Sequence, residues 1–215
     1  ADEESSAYSE FPGAAGYSLR RVKLHDILMG RAIRAGVKFH WGVRVTAIRS
    51  QFVCMGQTRI PYTWLIGADG QNSVVRKWAG LGSRTVTGKR FGFRKHFQVC
   101  PWTDAVEVYW AEGCQMFVTP TGKQEVGVAI FSRDSRLRLE QALPRFPVLA
   151  RRLQGAIPTS KESGNVTSLT RLAAVTRGRV ALAGDASGTV DAITGHGLSL
   201  SFQQALHLAG ALEQG

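Results

Sequence analysis

Apolar residues recur along this chain with two different periods, and the periods predict its helices and strands. In the segment 22–35 they recur every three to four positions, which predicts an amphipathic helix that ends at Gly36. The same period predicts a final helix at 198–212. Alternating apolar and polar residues predict strands at 37–40 and 43–48.

A different pattern extends from residue 90 to residue 131. Its short apolar runs are separated by turn-forming residues, which is typical of an antiparallel sheet built from hairpins. The predicted strands cover 90–99, 105–110, 114–119 and 125–131. Two amphipathic helical stretches follow at 135–143 and 145–153. This part of the chain therefore differs in structural class from the parts on either side.

The segments 63–66 and 179–183 predict buried strands, and the first is a continuous apolar run, as in a parallel strand. A turn of small and acidic residues follows each segment: Asp69-Gly70 after the first and Gly184-Asp185 after the second. A helix begins after each turn, and Ser73 is placed to cap the first of them.

The second turn and the loop behind it indicate a bound cofactor. A carboxylate such as Asp185, at the carboxyl end of a strand, can accept hydrogen bonds from a polyol. The loop containing Gly195, His196 and Gly197 leads into a helix whose N-terminus attracts partial negative charge. These features predict a cofactor with a polyol chain and an electron-rich ring. Taken alone, Asp185 would be better explained as a turn-forming residue.

Composition and charge narrow the class of protein. The chain has 215 residues, of which 44% are hydrophobic and 24 are glycine, enough for one large domain or two small ones. The net charge of +11 comes from scattered basic residues that are not interleaved with aromatic ones, so we expect a basic surface and no nucleic-acid partner.

Other features exclude several kinds of site. No run approaches the roughly 20 apolar residues of a transmembrane helix, and no signal peptide is visible. The three cysteines have no paired spacing, which argues against a metal site and favours a reduced, cytoplasmic setting. No catalytic triad or phosphate-binding loop occurs, as expected where a cofactor carries the chemistry.

The two acidic turns resemble the DG and GD motifs of FAD-dependent monooxygenases of the para-hydroxybenzoate hydroxylase type. The loop 191–197 is more similar to that of the geranylgeranyl reductase and flavin-dependent halogenase branch. The resemblance implies an α/β fold (α+β overall), in which an antiparallel β-sheet substrate domain is inserted into a partial Rossmann-like FAD-binding domain. The implied domains are the FAD-binding domain at 17–88 and 169–215 and the substrate domain at 89–168. The polar, Gly- and Pro-containing segment 1–16 predicts a tail or loop.

The resemblance also implies roles for residues of the GD motif. Asp185, which follows Gly184, would bind the ribityl chain of FAD. Backbone N–H groups of Gly195, His196 and Gly197 would face the pyrimidine edge of the flavin. The His196 side chain would either supply a positive charge near this edge or face solvent.

In the DG motif, the resemblance places Asp69 and Gly70 near the cofactor pyrophosphate and implicates Asp69 in binding NAD(P)H. Arg76 matches the arginine of this motif, and a surface charge is the alternative. Arg21 matches an arginine that approaches FAD, although Arg20 is a competing assignment.

Substrate-pocket candidates come from the predicted strand 90–99. Arg94 and His96 share a parity and therefore face the same side of that strand. A solvated sheet face is the alternative explanation for both. The catalytic residues stay unknown.

One motif of the family is missing. Its members open with a strand–GxGxxG–helix unit that holds the FAD pyrophosphate, and no such unit occurs in this sequence. We therefore expect the chain to be an internal fragment of a longer flavoprotein or a truncated gene product.

The resemblance implies an FAD-dependent oxidoreductase: a monooxygenase that takes electrons from NAD(P)H and hydroxylates or epoxidises an apolar or aromatic small molecule. The alternatives are a double-bond reductase like geranylgeranyl reductase, a halogenase, or a non-catalytic flavoprotein fragment. A basic nucleic-acid-binding protein is an alternative of another class. The sequence leaves the oligomeric state open.

Overall fold

The computed structural model describes residues 6–10, 13, 16–85 and 88–214. Contacts within the chain divide it into two compact units. The first unit combines Ala1–Lys38 with Arg90–Val166, and the second combines Phe39–Lys89 with Thr167–Gly215. These units are defined by contacts within the chain. The domain boundaries expected from the sequence remain a prediction.

The described elements are numbered in chain order. The helices are α1 (Arg21–Arg34), α2 (Val74–Trp78), α3 (Leu139–Ala142), α4 (Pro147–Arg152) and α5 (Gly197–Glu213). The first nine strands are β1 (Val45–Ile48), β2 (Phe52–Met55), β3 (Thr58–Pro61), β4 (Leu65–Gly67), β5 (Ser83–Thr85), β6 (Arg90–Gln98), β7 (Glu107–Ala111), β8 (Cys114–Gly122) and β9 (Glu125–Ser132). The remaining strands are β10 (Ile157–Pro158), β11 (Ser163–Thr167), β12 (Thr170–Leu172), β13 (Thr176–Arg177) and β14 (Val180–Leu182).

The first unit is built on the predicted antiparallel sheet. Its strands lie in the order β10-β6-β9-β8-β7, and β11 also pairs with β6. Residues alternate along β9, so that Val126, Val128 and Ile130 are buried on one face. They form the core together with Leu139, Phe146 and other apolar residues of the helical segment that follows the sheet.

The second unit holds the two predicted strand–turn–helix segments. Strands β4 and β14 pair in parallel, as the continuous apolar run at 63–66 predicts, and β13 pairs antiparallel with β14. Gly67 permits close packing at this point. A Cβ on Gly67 would lie 2.7 Å from Cγ1 of Val75 and 2.8 Å from Cδ2 of Leu182. Only a residue without a side chain therefore lets α2 pack against both strands.

Two further sheets belong to the second unit. One is the three-stranded antiparallel sheet β1-β2-β3, and the other is the short pair of β5 and β12. The mixture of helices, antiparallel sheets and one parallel strand pair confirms the predicted α/β (α+β overall) class. Every helix in the part of the chain that the structure describes is too short or too polar to cross a lipid bilayer.

Two local predictions were wrong. Residues 37–40 form no strand: turns at Gly36 and Gly42, both with positive φ angles, bound the segment, and none of the described strands pairs with it. The helical stretches at 135–143 and 145–153 are shorter than predicted, and a 3-10 turn that contains Pro144, Leu143–Arg145, separates α3 from α4.

Candidate functional site

The parallel pairing of β4 and β14 brings the two acidic turns to one edge of the second unit. Leu65 is paired with Val180, and Gly67 is paired with Leu182, so both strands end at the same level. The Asp69-Gly70 turn leaves the end of β4, and the Gly184-Asp185 turn leaves the end of β14. Ligands commonly bind at the carboxyl ends of parallel strands, where loops expose polar groups.

Asp69 acts on its own helix. Its carboxylate accepts hydrogen bonds from Ser73 Oγ at 2.5 Å and from the amides of Val74 and Val75 at 2.7 and 3.1 Å. Partial burial acts to raise the pKa of Asp69, but these hydrogen bonds outweigh it and hold the pKa below its usual value. The carboxylate is therefore ionised at neutral pH and completes the N-terminus of α2.

Ser73 caps α2 as predicted. Its hydroxyl oxygen accepts a hydrogen bond from the Arg76 amide at 2.9 Å, and the side chain is fully buried. Because Ser73 also donates to Asp69, one hydroxyl ties the turn to the first helical residues.

Arg76 links the DG and GD segments directly. The residue is only 6% exposed, so the alternative of a surface charge is wrong. Its guanidinium donates to the carbonyl oxygen of Gln71 at 2.7 Å and to that of Ala186 at 3.0 Å. A buried charged donor with two carbonyl acceptors fixes the distance between the two turns.

The GD turn is a 3-10 helix, Gly184–Ser187, and α5 holds it in place. Gly184 has φ +58°, in the left-handed region that glycine adopts at least cost. Its amide donates to Oε1 of Gln204 at 2.7 Å. Gln204 lies midway along α5 and was not predicted from the sequence, because no local motif connects it with a turn twenty residues earlier.

Asp185 differs from Asp69 in its surroundings. Its side chain is exposed, and no partner for its carboxylate is found among the described residues. The neighbouring Ala186 is fully buried and anchors the turn. An anchored turn thus presents a free carboxylate to a ligand.

The glycine-rich loop leads into α5 and leaves its N-terminus open. Gly195 is left-handed at φ +66°, and α5 begins at Gly197 after an exposed His196. No side chain caps this helix, and its first turn contains no acidic residue. A 17-residue helix with this N-terminus attracts negative charge.

The remaining predicted residues lie in the first unit. Arg21 is exposed at the start of α1, whereas its competitor Arg20 forms an ion pair with Glu125 at 3.4 Å. Arg94 is exposed on β6, and His96 is half-buried there with its Nδ1 3.2 Å from Ser160 Oγ.

These features fit FAD in the second unit. Asp185 offers an ionised acceptor for a polyol, and the start of α5 offers uncapped N–H groups for an electron-rich ring. A Cβ at Gly195 or Gly197 would meet no atom within 4 Å, so the loop is open on the side where those side chains would project.

Comparison with known proteins decides the family. The sequence profile of the family described as "FAD binding domain" matches residues 5–214. The chain belongs to this FAD binding domain family. The flavoprotein family predicted from the DG and GD motifs is therefore confirmed, with FAD as the cofactor of that family.

Solved structures share the fold of this FAD-binding chain. The flavin-dependent halogenase CmlS has a TM-score of 0.78 at 17% identity, and the flavin-dependent brominase Bmp2 has a TM-score of 0.80 at 16% identity. The tetrameric 2-methyl-3-hydroxypyridine-5-carboxylic acid oxygenase has a TM-score of 0.76 at 22% identity. Each comparison covers 91–92% of this chain but only 40%, 56% and 58% of the three structures, respectively. A search of curated protein sequences found no significant match.

Replacement of Arg76 by methionine will destabilise the protein. The change leaves the carbonyl oxygens of Gln71 and Ala186 without their donor, so we expect a loss of about 2–3 kcal/mol in the free energy of unfolding. Urea denaturation measures it. Lys77→Ala, at the adjacent exposed position of α2, is the control and should change stability by less than about 0.5 kcal/mol. An equal effect of both substitutions would contradict the bridging role.

Asp69→Asn will remove part of the pH dependence of the free energy of unfolding. Because the pKa of Asp69 is lower in the folded than in the unfolded chain, its contribution is fully present above about pH 4 and is lost as the pH falls through the folded pKa. The stability difference between wild type and variant, measured by urea denaturation from pH 7 to pH 3, should therefore shrink at the acidic end. A constant difference would show that Asp69 does not act through its charge.

Proposed function

We propose that this chain is part of an FAD-dependent oxidoreductase, a monooxygenase that uses NAD(P)H to hydroxylate or epoxidise an apolar or aromatic small molecule. One observation carries the proposal: Arg76 bridges to Ala186 and holds the DG and GD turns together, while Asp185 and the start of α5 stay open to a ligand. When bound, FAD supplies the oxidation–reduction chemistry. The chain positions and polarises it.

The residues of the second unit divide this work among them. Asp185 accepts hydrogen bonds from the ribityl chain, and Gly184 lets the turn form. The N–H groups at Gly195, His196 and Gly197 stabilise negative charge on the pyrimidine edge of the flavin. Asp69 and Gly70 shape the neighbouring turn, where the pyrophosphate and NAD(P)H would approach.

The substrate assignment is supported by the sheet of the first unit. The core lies against one face of this sheet, and the opposite face carries small residues in its middle strands. Gly127 pairs with His96, and Ala129 pairs with Arg94. On the neighbouring strand β8, Phe117 lies opposite Ala129. We expect a planar apolar molecule to lie over Ala129, in a trough between its larger neighbours Arg94 and Phe117.

Aromatic and polar groups border this trough. Phe117 and Phe131 pack edge to face, with their ring centroids 5.4 Å apart. Burial, followed by the positive charge of Arg20, lowers the pKa of His96, so its ring is neutral near pH 7. The exposed Arg94 offers the positive charge at the trough, which suits a substrate with an acidic substituent.

Flavin binding tests the cofactor assignment. Titration of the purified chain with FAD should change the flavin fluorescence, and Asp185→Ala should weaken FAD binding about tenfold or more, because one charged acceptor is lost. Asp104→Ala, at an exposed aspartate of the first unit, is the matched control and should bind FAD as the wild type does. Binding of FAD by Asp185→Ala with the affinity of the wild type would overturn the assignment.

NAD(P)H oxidation by the FAD-loaded protein tests the substrate class. Aromatic acids and their neutral analogues should accelerate it, and Arg94→Gln should raise KM more for the acids than for the neutral compounds. Lys95→Gln, one residue along β6 on the opposite face, is the control and should leave this ratio unchanged. The substrate assignment is wrong if no compound of either group increases the rate.

A further inference from the structure

The second unit contains a cleft of about 820 Å³ that the flavin assignment does not use. It lies at the amino ends of β4 and β14, since Tyr62 and Val180 are among its lining residues. Asp69 and Asp185 follow the carboxyl ends of the same two strands. The cleft and the candidate flavin site are therefore at opposite ends of one parallel strand pair.

Hydrogen bonds hold the walls of the cleft together. The hydroxyl of Tyr62 donates to the carbonyl oxygen of Arg49, and the amide of Leu65 donates to that of Arg179 at 2.9 Å. Arg177 donates to the carbonyl oxygen of Ala79, at the end of α2, at 3.2 Å. Three separate segments of the chain are thus fixed around the cleft, which makes it a preformed site.

All charged residues that line the cleft are basic. Arg49, Arg177 and Arg179 line it, and none of its lining residues is acidic. Arg179 is exposed, and its guanidinium has no partner among the described residues. Three lining arginines without a lining carboxylate favour a ligand with phosphate groups, which guanidinium groups can bind through paired hydrogen bonds.

The acidic residues of the second unit lie outside the cleft. They are Asp69, Asp185, Asp191 and Glu213. The first three belong to the loops at the carboxyl ends of β4 and β14, and the fourth is the last residue of α5. An anion in the cleft therefore meets no carboxylate on its walls.

The cleft also has an aromatic wall. Trp78, the last residue of α2, is 44% exposed and contributes to the lining together with the half-buried Tyr62. An exposed indole offers a flat π surface on which a planar base can stack. The volume lies within the range of about 300–1,000 Å³ that is typical of small-molecule sites.

We propose that this cleft binds a nucleoside phosphate, with the phosphate groups on Arg49, Arg177 and Arg179 and the base against Trp78. The site is independent of the flavin site in residues and in position. Its ligand combines the two chemical groups that the walls complement: an anion and a planar ring.

Calorimetric titration of the full chain with ADP, adenosine and pyrophosphate tests this site. ADP should bind more tightly than either of the other two, since only ADP carries both groups. Arg179→Ala should weaken ADP binding about tenfold or more, because the phosphates lose one charged donor. Trp78→Ala should weaken ADP binding while pyrophosphate binding stays unchanged. Arg44→Ala removes an exposed arginine outside the cleft and should leave ADP binding as in the wild type.

A further variant separates this cleft from the flavin site, because FAD itself contains an ADP group. Asp185→Ala should bind ADP as the wild type does, and Arg179→Ala should bind FAD as the wild type does. The proposal is overturned if ADP does not bind, if pyrophosphate binds as tightly as ADP, or if Arg44→Ala loses as much affinity as Arg179→Ala. Loss of ADP binding in Asp185→Ala alone would place the nucleotide at the flavin loops and would also overturn it.

Discussion

The second unit depends on one buried guanidinium. Arg76 must give up its hydration to reach the interior, and a buried charge is tolerated only where hydrogen-bond partners replace water. The carbonyl oxygens of Gln71 and Ala186 replace water here, each accepting a hydrogen bond from a different nitrogen of the guanidinium. Because one belongs to the DG turn and the other to the GD turn, satisfying this charge also brings the two motifs into register.

This arrangement explains why two similar turns have different chemical roles. The Asp69 carboxylate is occupied by Ser73 and two backbone amides, so it serves the helix that carries Arg76. The Asp185 carboxylate projects from a turn that is anchored through Gly184 and Ala186. One aspartate therefore stabilises the frame, and the other is left for a ligand.

Much of the fold could be predicted from local patterns. The strands between 90 and 131 and the parallel strand at 63–66 follow from alternation and from a continuous apolar run, because the face on which a residue lies decides whether it is buried. The first of these strands pairs with β9 and not with the next strand, β7, so a simple series of hairpins was wrong at that point. The prediction of a strand at 37–40 was wrong, because alternation of apolar and polar residues does not show whether another strand can pair with the segment. In the site, Asp69 and Asp185 were found through short motifs.

The contacts that position these motifs could not be predicted. Gln204 and the acceptor Ala186 have no local signal, because an amide side chain in a helix and a carbonyl oxygen occur everywhere in a sequence. The same holds for the arginine-lined cleft, whose charges come from segments that are distant along the chain and meet only in the folded unit.

The hydrogen bond between Arg76 and Ala186 joins residues 110 positions apart. All strands of the large antiparallel sheet lie within that interval, and three of its six strands, β7, β8 and β9, pair with a neighbour in sequence. Closing a long loop costs entropy before any contact repays it, whereas hairpins close early. A chain leaving the ribosome can therefore build the inserted sheet while Arg76 still lacks its distant acceptor. Although the DG turn precedes the sheet in the chain, its contact with the GD turn is then made after the sheet has formed.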